Sequence, residues 1–203
     1  MATPPQQARS IATEQKMLDA AEELLKGGDS RQVTLENVVK LSGASVGSFY
    51  ARFGNVEGLF QALRNRYRDA VYMTAILKGY EKAFQQTDLR SALHHTLKPM
   101  LEVARQEHTA ISYFLKHPST EQVELINQRK MMVDTTLKLL QKPRKEIKKK
   151  DLRRASENIS RMTHATWVHL ALMEPSEFVG RKTSLSSVID LTTDMAYHYL
   201  TNE

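Results

Sequence analysis

The sequence predicts an all-α protein, an N-terminal three-helix domain followed by a C-terminal helical bundle. Three observations lead there. Apolar residues recur every three or four positions along most of the chain, a pattern that supports about nine helices, and no stretch alternates as a strand does. Only 7% of residues are aromatic, and eight glycines and six prolines punctuate rather than fill the pattern. The stretch Thr34–Phe53, TLENVVKLSGASVGSFYARF, reads as two short helices joined by a tight turn. The expected division is residues 1–60 and 61–203.

Residues 1–9 hold Pro4-Pro5 and Gln6-Gln7 with little to bury, and read as an unstructured arm. The first helix is expected over 11–26, with Ile11, Met17, Leu18, Ala21, Leu24 and Leu25 as its buried stripe and Gly27-Gly28 as its end. Thr34 stands where an N-cap belongs. Leu35, Val38, Val39 and Leu41 form the apolar side of the second helix, and Gly43 supplies the positive φ of a sharp reversal. Ser45 caps a third helix in which Val46, Phe49, Tyr50 and Phe53 recur at helical spacing, while Gly47, Ser48 and Arg52 point the other way. Asn55 caps a long fourth helix running to Gly79, whose later turns belong to a second core.

Asp88 to Ala104 form a helix interrupted by Pro99, where a kink is expected to open space beside it. A shorter helix follows over 109–116, and Ser119 with Gln122 has the form of a capping box for a helix ending near Leu140. Two last helices, near 152–173 and 184–201, carry more apolar surface than one covering face needs. That excess fits pairing with a second copy as a four-helix bundle. Leu170, Met173, Leu185, Val188, Thr192 and Met195 are the expected dimerisation residues.

A short helix with a small, polar and basic outer face fits the major groove of DNA, which admits a helix and displays the base-edge code. An ordinary helical hairpin shares much of that spacing. The order Val39, Gly43, Phe49 places a turn glycine and a later apolar anchor where a helix-turn-helix needs them, although Val39 is bulky for the crossing. With the lead helix EQKMLDAAEELL and then VTLENVVKLSGASVGSFYARFGNVEGLF, residues 10–60 resemble the N-terminal domain of the TetR family of transcriptional regulators. The resemblance implies that Thr34 meets backbone phosphate, that Ser45, Val46, Gly47 and Ser48 lie at the groove end of the recognition helix, and that Tyr50 and Arg52 reach phosphate or bases. Val56 stands where the family usually has a phosphate-touching lysine, and Gly54 where proline is common.

Charge adds no independent support. The net charge is +6, but residues 142–154 hold eight lysines and arginines against two acids, a surplus equal to that of the entire chain. Residues 1–70 hold nine basic and eight acidic groups, so basicity there must be positional, with Arg9, Lys16, Arg31 and Arg52 on one side. The 142–154 run reads as a solvated inter-helix loop, with a second nucleic-acid or membrane contact as the alternative.

Enzyme chemistry finds no foothold. GASVGSF lacks the spacing and the lysine of a phosphate loop, and no serine sits in a Gly-x-Ser-x-Gly turn. The absence of cysteine removes thiolate chemistry and disulfides, and the histidines lack ligand spacing, so no metal or cofactor is expected. No apolar run approaches ~20 residues and no signal peptide is visible, which points to a cytoplasmic protein without a membrane partner. A small-molecule pocket on the middle helices is expected around Met73, Phe84, Met100, Tyr113, Phe114, His164 and Trp167, residue types that are equally ordinary core. The function expected is a homodimeric, sequence-specific DNA-binding regulator, a repressor released from a near-palindromic operator by an effector. The alternatives are a helical interaction module or a helical enzyme with the hairpin as scaffold.

Overall fold

The computed structural model describes residues 5–117, 122–142, 145–173, 177, 180 and 183–202. Regular structure among them is helical throughout: α1 (Pro5–Lys26), a 3-10 turn (Ser30–Gln32), α2 (Leu35–Ser42), α3 (Val46–Phe53), α4 (Val56–Arg66), a π-helical segment (Tyr67–Met73), α5 (Thr74–Gln85), α6 (Leu89–Gln106), α7 (His108–Lys116), α8 (Gln122–Leu140), α9 (Leu152–Leu172) and α10 (Leu185–Thr201). α4, the π segment and α5 follow without a break, so the described residues form nine uninterrupted helices. Ser119 and its expected cap lie outside the described residues.

α1 starts at Pro5, not after an unstructured arm ending at residue 9. Proline is at home in a helical first turn, and the Gln, Ala and Arg that follow are good helix formers. Ile11 is half exposed rather than buried, because the stripe that meets the core begins at Met17.

Two compact units divide the chain: residues 1–70 with 109–118, and residues 71–108 with 119–203. The division therefore differs from a single cut at residue 60. The first unit packs Met17, Leu18, Ala21 and Leu25 of α1 with Val38, Phe49, Leu59 and Leu63, all buried. α7 goes with it for a packing reason. Ala110 and Ile111 are buried, Tyr113 stacks on Phe60 at 4.5 Å, and Phe114 meets Tyr67 edge-on at 5.8 Å. Arg64 donates to the carbonyl of His117 and lies over the Phe114 ring at 5.2 Å.

In the second unit α6 is the central helix, burying Leu93, Leu97, Met100 and Leu101 among others. The space expected beside Pro99 is filled. Proline has no N–H to give the carbonyl four residues back, that of His95. Gly79 of α5 lies against this spot so closely that a Cβ there would stand 2.8 Å from the His95 oxygen and 2.9 Å from Pro99 Cγ. The missing hydrogen bond is thus sealed by close helix packing.

The basic stretch after α8 ties helix ends together. Lys142 Nζ donates to the Phe84 carbonyl near the end of α5 and sits over the Phe84 ring. The Glu146 carboxylate accepts the Leu89 N–H at 3.0 Å at the start of α6. The Lys148 N–H donates to the Leu200 carbonyl at 2.8 Å near the end of α10, where Lys149 lies over Tyr199. Cations at helix C-termini and an acid at an N-terminus follow the sign of the helix dipoles. Elsewhere in the run the side chains of Lys145, Lys148, Lys150 and Arg154 remain exposed.

Gly79→Ala is expected to lower the stability of the protein by about 1–3 kcal/mol, the usual cost of forcing a methyl into a filled site. Urea unfolding followed by circular dichroism measures it; an unchanged midpoint would show that α5 and α6 can separate freely.

Candidate nucleic-acid interface

The hairpin is built by local capping. The Thr34 hydroxyl accepts the Asn37 N–H at 3.2 Å and starts α2. Gly43 ends it with φ +66°, and nothing stands within 4 Å of a would-be Cβ. Conformation, not room, is what demands glycine there. Ser45 then caps α3, accepting the Ser48 N–H at 3.1 Å and donating to the Ser48 hydroxyl at 3.0 Å.

α3 is anchored by one side. Phe49 is 0% exposed and packs edge-on against Phe53 at 5.3 Å. Val46 is 48% and Tyr50 53% exposed. Ser45, Gly47 and Ala51 are exposed too, and Thr34 is exposed at the head of α2. The structure thus brings Thr34, Ser45, Val46, Gly47, Ser48 and Tyr50 to one short hairpin, with α3 presenting its first turn outward.

Arg52 has a different environment. Its guanidinium donates to the Ser10 carbonyl (2.9 and 3.1 Å), to the Ser10 hydroxyl (2.8 Å) and to the Ser48 carbonyl (3.2 Å). It ties the early turns of α1 to α3 across 42 residues of sequence. Arg31 is also committed: it grips Asp29 at 2.8 Å, and its hydrogen bonds hold that carboxyl below the usual carboxylate range. Arg9, Lys16 and Lys40 are exposed and carry no ion pair among the described residues.

The turn from α3 into α4 depends on a glycine. Gly54 takes φ +70°, and Asn55 caps α4 by accepting the Gly58 N–H at 2.8 Å. A Cβ on Gly58 would lie 1.9 Å from the Phe53 carbonyl oxygen. Sequence reasoning passed over Gly58, the Ser10–Arg52 tie and the allegiance of α7. A helical glycine beside the capping asparagine was a readable signal; the other two arise from tertiary packing and had none.

The expected pocket residues fall into both units. Tyr113 and Phe114 belong to the first, where burial and then Glu57 raise the Tyr113 phenol above its usual range. In the second, Met73, Phe84 and Met100 pack with Ile76, Tyr80, Tyr72 and Met132. His164 stacks on Trp167 at 5.5 Å, and Tyr72 meets Trp167 at 5.6 Å. Trp167 Nε1 is buried without a hydrogen-bond partner among the described residues. Burial, then Arg129, lowers the His164 pKa. The Tyr80 hydroxyl bonds Thr136 at 2.7 Å, and burial pushes its pKa up to about 12.

The expected dimerisation residues divide as well. Leu170 is buried with Leu101, Ala104 and Ile189, and Leu185 and Val188 pack against that cluster. Thr192 is buried and donates to the Val188 carbonyl at 2.7 Å. Met173 and Met195 are exposed, and so are Leu172 and Leu191. α10 turns Ile189, Thr192, Thr193 and Ala196 inward, so its outward apolar row runs through Leu191 and Met195.

Residues 17–63 match the sequence model of the bacterial regulatory proteins of the tetR family. A TetR-like transcriptional regulator from Rhodococcus sp. RHA1 has the same fold with a TM-score of 0.62 at 18% identity, covering 94% of this chain and 97% of its own. The ketosteroid transcriptional regulator KstR2 of Mycobacterium tuberculosis gives 0.56 at 18% identity, covering 94% and 95%. No curated protein matches the chain by sequence. Among the described residues no helix is long and apolar enough to cross a membrane, and no three metal-ligating side chains gather.

Gly58→Ala is expected to destabilise the first unit, because the methyl must displace backbone rather than a side-chain tip. Hydrogen exchange should reveal faster opening of α3 and α4, with a loss of about 1–3 kcal/mol; unchanged protection there would mean that the turn relaxes without cost.

Proposed function

We propose, on the premise that residues 17–63 are the N-terminal domain of a tetR-family bacterial regulator, that this chain binds an operator as a homodimeric transcriptional regulator. One observation carries the reading. α3 keeps Phe49 wholly buried while its first turn, Ser45 to Gly47, and Tyr50 stay exposed. A helix so held can enter a major groove without unfolding its own domain.

The remaining roles follow from exposure and bonding. Thr34 and Tyr50 meet phosphate; Ser45, Val46, Gly47 and Ser48 face the groove. Lys40, Lys16 and Arg9 supply backbone contacts in place of the lysine absent at position 56. Arg52 braces α1 on α3, since four of its five N–H donors go to Ser10 and Ser48. Two copies pair through the outward row of α9 and α10, Leu172, Leu191 and Met195. Their recognition helices then lie in successive major grooves ~34–36 Å apart on a near-palindromic site.

Regulation is repression relieved by a small molecule in the cytoplasm. The effector enters the aromatic and methionine region of the second unit, where Trp167 Nε1 lacks an acceptor and Tyr72, His164 and Met132 stand near. It acts by favouring the dimer conformation that does not fit DNA, which requires different affinity for the two states.

Fluorescence anisotropy with duplexes enriched from a random library tests the binding. Lys40→Ala is expected to reduce the slope of log K against log salt by about one unit, whereas Arg52→Ala weakens binding with the slope nearly kept. A full unit lost on Arg52→Ala would put that guanidinium on phosphate instead. For pairing, Leu191→Arg is expected to give monomers by light scattering and to cost most of the operator affinity; an intact dimer would move the interface elsewhere.

A further inference from the structure

The recognition helix offers an unusual set of side chains, and this bears on what sequence it can select. Around the axis of α3, the row opposite Phe49 and Phe53 is Gly47 and Ala51, both exposed. Val46 and Tyr50 flank it on one side, Ser48 and Arg52 on the other. The usual bidentate readers of bases are Arg or Lys for guanine, Asn or Gln for adenine, and Asp or Glu for cytosine. α3 has Arg52 alone of these, and with four of its five N–H donors on Ser10 and Ser48 it has no free pair for bidentate contact with guanine. Asn55, just beyond, is held as the cap of α4. Asn37 in α2 is bound to the Gln32 carbonyl at 2.9 Å. The Ser45 oxygen both accepts and donates within the cap, and Ser48 keeps one hydroxyl proton that suits any base acceptor.

What remains at the groove face is apolar and small. Val46, on the first turn, is 48% exposed and is not among the buried core residues. Its β-branched side chain is stiff in a helix, so little freedom is lost on contact. Ala51 adds a second methyl, and Gly47 removes the side chain that would hold the backbone off the groove floor. The complementary feature of DNA is the one apolar group displayed in the major groove, the 5-methyl of thymine.

We propose that this chain selects its operator through thymine 5-methyl groups, read by Val46 and Ala51 with Gly47 allowing close approach. The inference rests on the DNA-binding reading above. The test uses the full-length chain and the duplex it enriches most from a random library, resynthesised with deoxyuridine in place of thymidine one position at a time. Wild type should lose about fourfold in affinity for each contacted methyl removed, the value of one buried carbon. In Val46→Ser, whose melting temperature should be unchanged because residue 46 lies outside the core, the loss at one of those positions should shrink to within about a factor of two. Equal binding of thymidine and deoxyuridine duplexes by wild type overturns the proposal, as does an undiminished uracil penalty in Val46→Ser or a selected half-site whose required positions are guanine and cytosine. If no sequence is enriched at all, the DNA-binding reading falls with it; enrichment without a uracil effect removes the methyl reading alone.

Discussion

The burial of Phe49 is the constraint on which the N-terminal unit depends. α3 is only eight residues long, too short to persist by its own hydrogen bonds. What holds it is one aromatic ring in contact with the core, a cap at each end and the tie from Arg52 to Ser10. With Phe49 inside, the pitch of the helix leaves no choice about which residues face outward, and Gly47 and Ala51 come to the crest. The exposed surface is therefore a by-product of the anchor, and any substitution that loosens Phe49 moves every outward-facing residue of α3 together.

Hydrogen bonding and charge in this protein serve assembly more than display. Arg52 lies on the outward-facing α3 yet directs its guanidinium to a carbonyl and hydroxyl of α1. Lys142, Glu146 and the backbone of Lys148 close the ends of α5, α6 and α10, which gives part of the most basic stretch a structural account. Gly79 completes the same economy by covering the carbonyl that Pro99 leaves without a donor. In the cases of Arg52, Lys142 and Glu146 a charged group that looks functional in isolation proves to be bonded to a neighbour.

The hairpin was legible in the sequence because its determinants are local. Thr34, Gly43, Ser45 and Asn55 each act on a residue at most three positions away, so residue type and spacing contain the interaction. Helix spans were legible for the same reason, from periodic apolar positions and the breaks between them. Which way α10 faces was not. Leu185, Val188, Leu191 and Met195, with Ile189, Ala196 and Leu200, make about half of its circumference apolar, and packing against α6 and α9 decides that Thr192 goes in and Leu191 out. The bond from Arg52 to Ser10 spans 42 residues, and α7 joins the first unit through the fit of Tyr113 on Phe60; neither is encoded by any local pattern.

The placement of charge has a bearing on how such a regulator would distribute itself along a chromosome. Its cationic surplus equals that of residues 142–154, in the second unit, while residues 1–70 are close to neutral. Indiscriminate attraction to a nucleic-acid lattice grows with the number of phosphates neutralised, so random sequence would retain these recognition helices only briefly. A cell would then need few copies to keep a target occupied, because little of the pool is lost to the millions of competing sites. The same frugality leaves occupancy resting on a handful of fitted contacts, and makes it vulnerable to single base changes.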